Sequence, residues 1–171
     1  MNTKQQALLV IDVQNDYFDG GKFPLWNSEA TLVKIEAAIA QAQAREMPVI
    51  LIQHIADASK GPAPFFNAGS EGVALHPRLL AAAPNAPIVI KQHADSFVGT
   101  TLAATLQALG VKELLVCGMM TQNCVVFTAI SPQAQGYEVS ILPECCTTVS
   151  EMLHRIALAG VATRMTLAAG F

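Results

Sequence analysis

Six short apolar runs, separated by segments with helical patterning, constrain this chain more than any other feature. They are ALLVIDV (7–13), PVILIQHI (48–55), PIVIK (87–91), ELLVCG (113–118), EVSILP (138–143) and a terminal RMTL (164–167). Near-continuous hydrophobicity over strand length, in place of alternation, marks strands covered on both faces. Strands alternating with helices predict a three-layer α/β fold: a six-stranded, mostly parallel, doubly wound sheet of Rossmann-like type, with right-handed crossovers and helices on both faces. The 171 residues suit a single domain over 1–171.

Local signals place the helices. Ser28 is positioned to cap SEATLVKIEAAIAQAQARE, Gly99 and Thr100 precede TLAATLQAL, which Gly110 closes, and Ser150 opens EMLHRIALA, closed by Gly160. The segment from Cys124 reads as helical to about Ile130, where Ser131 and Pro132 kink it or start a new turn. Two stretches, 16–27 and 56–87, are rich in Gly, Pro and aromatics. The second is far longer than an ordinary connection, and such loops close over a site or an interface.

Only 13% of the residues are charged while 52% are hydrophobic, which points to apolar surface covered in a homo-oligomer, a dimer or larger. A net charge of −3 with no Lys/Arg cluster argues against nucleic acid as a partner. The N-terminal apolar run is too short and too soon interrupted for a signal peptide or a membrane span, so no membrane association and a cytoplasmic location are expected. Cys117, Cys124, Cys145 and Cys146 lack zinc-finger spacing, and Cys145 and Cys146 read as reduced thiols pointing opposite ways.

Ligands of an open parallel sheet bind beyond the carboxyl ends of its strands. Asp12 ends the first strand, Lys91 ends the third, and Cys124 opens the segment after the fourth. Taken singly, each has an ordinary structural role; together a carboxylate, an ammonium and a thiol have complementary needs. An unperturbed thiol, with a pKa of about 8.5, is mostly protonated at neutral pH, so a nucleophilic cysteine requires a base or a positive field. Asp12 is suited to take the proton, while Lys91 and the N-terminus of the Cys124 helix favour the thiolate.

These residues lie in motifs that resemble the isochorismatase-like cysteine hydrolase superfamily, which includes nicotinamidases, carbamoylsarcosine amidases, ureidoacrylate amidohydrolases and streptothricin hydrolase. LLVIDVQNDYF is similar to its opening strand-Asp-x-Gln motif, and KQHADSFVGTTL to its Lys motif, with Asp95-Ser96-Phe97 where Ser-Ala-Phe is usual. GMMTQNCVVFTA fits G-x-x-T-x-x-C-V-x-x-T-A, and GYEVSILPECCTT resembles the last strand motif. The resemblance implies a Cys124-Asp12-Lys91 triad, a cis peptide between Met119 and Met120, and an oxyanion hole from the backbone N–H groups of Met120 and Cys124. It also implies hydrolysis of a small-molecule amide through a thioester.

Metal-dependent nicotinamidases of the superfamily carry Asp-x-His and a further His after the second strand, whereas here the region reads QHIADASKGPAPFF. No metal and no other cofactor are therefore expected, and nicotinamide is disfavoured as substrate. Phe18, Trp26, His54, Phe65, Phe66, Gln122 and Asn123 are candidate pocket walls around a small-molecule substrate, and His93 reads as structural or pocket-lining. The alternatives are vinyl ether hydrolysis of the isochorismatase type, for which a thiol is not needed, a non-catalytic binding or assembly protein on the same scaffold, and a redox sensor centred on Cys124.

Overall fold

The computed structural model describes residues 5–169. Six strands form one parallel sheet in the order β3-β2-β1-β4-β5-β6: β1 (Gln6–Ile11), β2 (Val49–His54), β3 (Ile88–Lys91), β4 (Glu113–Met119), β5 (Glu138–Thr147) and β6 (Thr166–Leu167). The chain winds outward from β1 to β3 and then crosses to β4, so the strand order reverses between β1 and β4. Five helices, α1 (Ser28–Ala44), α2 (Pro77–Ala82), α3 (Leu102–Ala108), α4 (Val126–Ala129) and α5 (Glu151–Val161), complete a three-layer α/β architecture. None of them is long and apolar enough to cross a membrane.

The central strands are as dry as their composition demands. Ala7 through Ile11 and Ile50 through Ile52 are fully buried. Helix α1 lays Leu32, Ile35, Ile39 and Ala42 on the core, a spacing that follows the 3.6-residue period. At the sheet edge, PIVIK departs from the two-sided burial its composition suggests, because Ile88 and Ile90 face outward and stay about half exposed.

Several boundaries differ from the sequence reading. Ser28 is the first residue of α1, not its cap; Asn27 precedes it in a left-handed conformation with no side-chain capping bond. Gly160 lies inside α5, which runs on to Val161, while Ser150 does cap this helix by accepting from Leu153 N–H at 3.3 Å. The long 56–87 connection contains α2, opened by His76, whose ring nitrogen accepts from Arg78 N–H, and by Pro77 at its first turn. Strand β5 extends to Thr147 through a register shift opposite Val116–Gly118, and both Cys145 and Cys146 are buried along it.

Two backbone features shape the end of β1. Asp12 takes a left-handed conformation (φ 53°), which turns the chain out of the sheet directly after Ile11. Beside it β4 approaches so closely that a Cβ on Gly118 would sit 2.0 Å from the Ile11 carbonyl oxygen, and Gly118 itself has φ 118°. Only glycine fits there.

Candidate active site

Asp12, Lys91 and Cys124 converge at the carboxyl edge of the sheet, beside the point where strand order reverses. All three are almost entirely excluded from solvent. Lys91 Nζ lies 2.8 Å from Asp12 Oδ2, 3.2 Å from Cys124 Sγ, 3.0 Å from His54 Nδ1 and 3.0 Å from the His93 carbonyl oxygen. An ammonium has three hydrogens for these four acceptors, so it is fully committed. The Lys91–Asp12 contact is a close ion pair that is poorly directed as a hydrogen bond, and among the described residues Asp12 Oδ1 has no hydrogen-bond partner. Carboxylate lone pairs are thus left over for a proton from the thiol.

Burial and the Asp12 carboxylate push the Cys124 thiol up, and the opposing pull of Lys91 does not overcome them. The pull of Lys91 toward the thiolate, expected from the sequence, is present but outweighed. Cys124 also does not open an α-helix: it lies in a five-residue π-helical turn (Thr121–Val125), and α4 beyond it spans only one turn. The field of a long helix N-terminus is therefore missing, and the thiol stays protonated until a base takes its proton. For Lys91, burial disfavours the charged form, but Asp12 and Cys124 outweigh it and raise its pKa, so the ammonium is retained.

The turn carrying the thiol is tied down on each side. The Met119–Met120 peptide is cis. The Met120 carbonyl accepts from Asn123 N–H at 3.1 Å and Val125 N–H at 3.3 Å, and Thr121 Oγ1 contacts His154 Nδ1 at 2.9 Å. Thr128, one turn past Cys124, donates to Ser96 Oγ at 2.8 Å and accepts from Ser96 N–H at 3.0 Å, joining this segment to the loop after Lys91.

Gln14 is a structural residue that sequence reasoning quoted within a motif but gave no role. Where Asp12 turns β1 away, the fully buried Gln14 side chain takes over the strand pairing: Nε2 donates to the His54 carbonyl at 2.8 Å, and Oε1 accepts from His54 N–H at 2.8 Å. Nε2 also donates to the Val73 carbonyl at 2.7 Å. Asp16 acts similarly on the loops, accepting from Phe66 N–H at 2.8 Å and Lys22 N–H at 3.1 Å. Tyr17, also absent from the sequence-level list, is buried against Phe66 (4.6 Å between ring centroids) and Phe65 (5.5 Å). Burial, reinforced by the Asp12 carboxylate, pushes its phenol up.

The candidate walls divide. His54 touches Lys91, and Phe66 packs 5.8 Å from the His54 ring with Phe65 beside it. Gln122 and Asn123 immediately precede the thiol in the turn, and among the described residues Gln122 Oε1 is buried without a hydrogen-bond partner. Phe18 instead packs at a tilt against the His76 ring and lines a separate cavity with Asp19 and Glu71. Trp26 lines another cavity with Cys146 and His154. His93 contributes its backbone carbonyl to Lys91, and its side chain is exposed.

Asp12, His54 and Cys124 hold donor atoms within 4.8 Å of one another, a grouping that could suggest a metal centre. The donor set does not fit one, because the Lys91 ammonium already contacts all three at 2.8–3.2 Å. Nor does the segment after β2 add ligands: Asp57 caps a short turn through Ser59, and His76 caps α2.

A family model of the isochorismatase domain matches residues 6–169. The chain belongs to the isochorismatase family. It is 36% identical over 144 residues to the isochorismatase family protein YddQ of Bacillus subtilis, covering 84% of this chain and 78% of that one. It is 29% identical over 154 residues to the maleamate amidohydrolase of Pseudomonas putida, covering 83% and 72%. A crystal structure from Oleispira antarctica assigned to the isochorismatase hydrolases superposes with a TM-score of 0.87 at 29% identity, covering 98% of this chain and 94% of that one. Isochorismatase-family members are hydrolases, many of them acting on amide C–N bonds.

Proposed function

We propose that this protein hydrolyses a C–N amide bond of a small molecule, with Cys124 as nucleophile, Asp12 as general base and acid, and Lys91 as the cation that holds both. The carrying observation is that Lys91 Nζ bridges a buried carboxylate and a buried thiol at 2.8 and 3.2 Å. The thiol is neutral at rest, so its proton moves to Asp12 as the sulfur attacks the carbonyl, and charge never has to persist unpaired in the dry site. Lys91 keeps its contact with the sulfur as negative charge develops there. Backbone N–H groups of Met120 and Cys124 are the proposed oxyanion donors.

Protonated Asp12 then delivers the proton to the leaving amine, and the acyl group remains on Cys124 as a thioester. Water attacks it with Asp12 again as base, and the thiol is restored as the acid product leaves. His54, Phe65, Phe66, Gln122 and Asn123 form the proposed substrate wall. We also propose a homo-oligomer, supported by Met152 and Ile156, which stay well exposed along α5 (72% and 62%), and by Phe127 on α4.

The test is ammonia release from a panel of small primary amides, with mass spectrometry of the intact protein to trap the acyl-enzyme. The proposal requires release that disappears in Cys124→Ala and an acyl adduct on Cys124. Hydrolysis unaffected by Cys124→Ala would overturn it.

A further inference from the structure

His54 has its backbone gripped on both sides by the Gln14 amide, and its ring is held between Lys91 and Phe66. Its Nδ1 lies 3.0 Å from Lys91 Nζ, a group with only hydrogens to offer. A proton on Nδ1 would set two donors against each other, so Nδ1 must present its lone pair. Burial and the Lys91 charge both lower the pKa of His54, which keeps the ring neutral. A neutral imidazole whose Nδ1 accepts carries its hydrogen on Nε2. One ring nitrogen of His54 is within 4.8 Å of both Cys124 Sγ and an Asp12 oxygen, so a group meeting this ring sits close to the attacked carbon.

We propose that His54 is a substrate-binding residue whose Nε2–H donates to an oxygen or nitrogen acceptor placed within two or three bonds of the scissile carbonyl. Lys91 fixes the tautomer and Gln14 fixes the position; both act through His54 and are positioning residues in this respect. The site then selects amides with a nearby acceptor over isosteric hydrocarbon ones. A buried N–H left without a partner penalises the hydrocarbon substrate, whereas an acceptor satisfies it. This selectivity rests on the amide-hydrolase reading; the tautomer does not.

Two measurements keep the claims separate. The first is nitrogen chemical shifts of 15N-histidine-labelled protein between pH 6 and 9. They are expected to report the Nε2–H tautomer for His54, with the preference weakened in Lys91→Met. A Nδ1–H tautomer, or a doubly protonated ring in this range, overturns the proposal whether or not any amide is turned over.

The second compares kcat/KM for 2-oxopropanamide and 2-methylpropanamide, which share a heavy-atom skeleton and differ in an acceptor oxygen in place of a methyl group beside the scissile carbonyl. Their ratio in the wild type is expected to exceed that in His54→Phe by about tenfold, the intrinsic difference in reactivity cancelling. His54→Gln, which keeps an acceptor toward Lys91 and a donor toward substrate, is expected to restore most of the ratio. An unchanged ratio in His54→Phe sinks the proposal while leaving the amidase reading intact. Failure of both amides to react counts against the amidase reading, and the tautomer then decides the role of His54 alone.

Discussion

Lys91 Nζ and Asp12 Oδ2 stand 2.8 Å apart with both side chains wholly excluded from solvent, making this the buried ion pair on which the site is organised. Removing one member of such a pair leaves an uncompensated charge and costs roughly 3–5 kcal/mol. Asp12→Asn and Lys91→Met are therefore each expected to lower the unfolding free energy by about that amount in urea denaturation. The double variant should lose clearly less than the sum, with a coupling on the order of 2 kcal/mol. Additive losses would mean that the pair does not interact as described.

Gln14 replaces backbone pairing that β1 gives up at Asp12, and its amide makes three hydrogen bonds to His54 and Val73. Each such bond contributes about 1 kcal/mol net, and leaving buried partners unsatisfied costs more. Gln14→Leu, similar in size, is expected to destabilise the protein by roughly 3 kcal/mol and to increase hydrogen exchange at the His54 amide. A change below about 0.5 kcal/mol would show that water or a rearranged loop replaces the amide.

Gly118 separates steric necessity from chance. A Cβ there meets the Ile11 carbonyl at 2.0 Å on a left-handed backbone, whereas at Gly136 a Cβ meets nothing within 4 Å. Gly118→Ala should cost more than about 3 kcal/mol or prevent folding, while Gly136→Ala should stay within about 0.5 kcal/mol of wild type. Thermal melts of the two variants check the contrast, and equal behaviour would contradict the packing of β4 on β1.

Acid sensitivity follows from the histidines. His54, His76 and His154 all have pKa values lowered below 6.5, chiefly by burial. The unfolded chain takes up protons near 6.5 while the folded chain still resists them, so stability falls as pH drops below that value and is fully present above it. The melting temperature is expected to decline between pH 7 and 5, with a shallower slope in His54→Gln. A flat or rising profile would count against neutral, partly buried imidazoles.

Much of the scaffold was legible because the strands are buried on both faces, so runs such as LLVI and VILI read directly as a parallel sheet. Asp12, Lys91 and Cys124 were legible because each lies at or beyond the carboxyl end of a strand, and a parallel sheet gathers such positions at one edge. The π-helical turn was not, since its wider hydrogen bonding has no composition signal distinct from an α-helix. Helix α2 was hidden in a loop rich in Pro and Gly, although His76-Pro77 is a good start signal in hindsight. Phe18 and Trp26 fell in other cavities because loop direction depends on long-range ties, among them Asp16 to Phe66 and Trp26 N–H to the Thr148 carbonyl at 2.9 Å. The role of Gln14 depends on the left-handed turn at Asp12, which only the three-dimensional structure reveals.

The most direct test of the account is the rate of Cys124 alkylation by iodoacetamide at pH 7 in wild type, Asp12→Asn and Lys91→Met, read by mass spectrometry alongside amide hydrolysis. Because Asp12 pushes the thiol up and Lys91 pulls it down, Asp12→Asn is expected to alkylate about tenfold faster than wild type, and Lys91→Met more slowly. Hydrolysis is expected to fall at least about 100-fold in both: without Asp12 no group takes the thiol proton or returns one to the leaving amine, and without Lys91 nothing offsets the negative charge that develops on the sulfur. Slower alkylation in Asp12→Asn would contradict the account, because it would mean that the carboxylate holds Cys124 as a thiolate at rest.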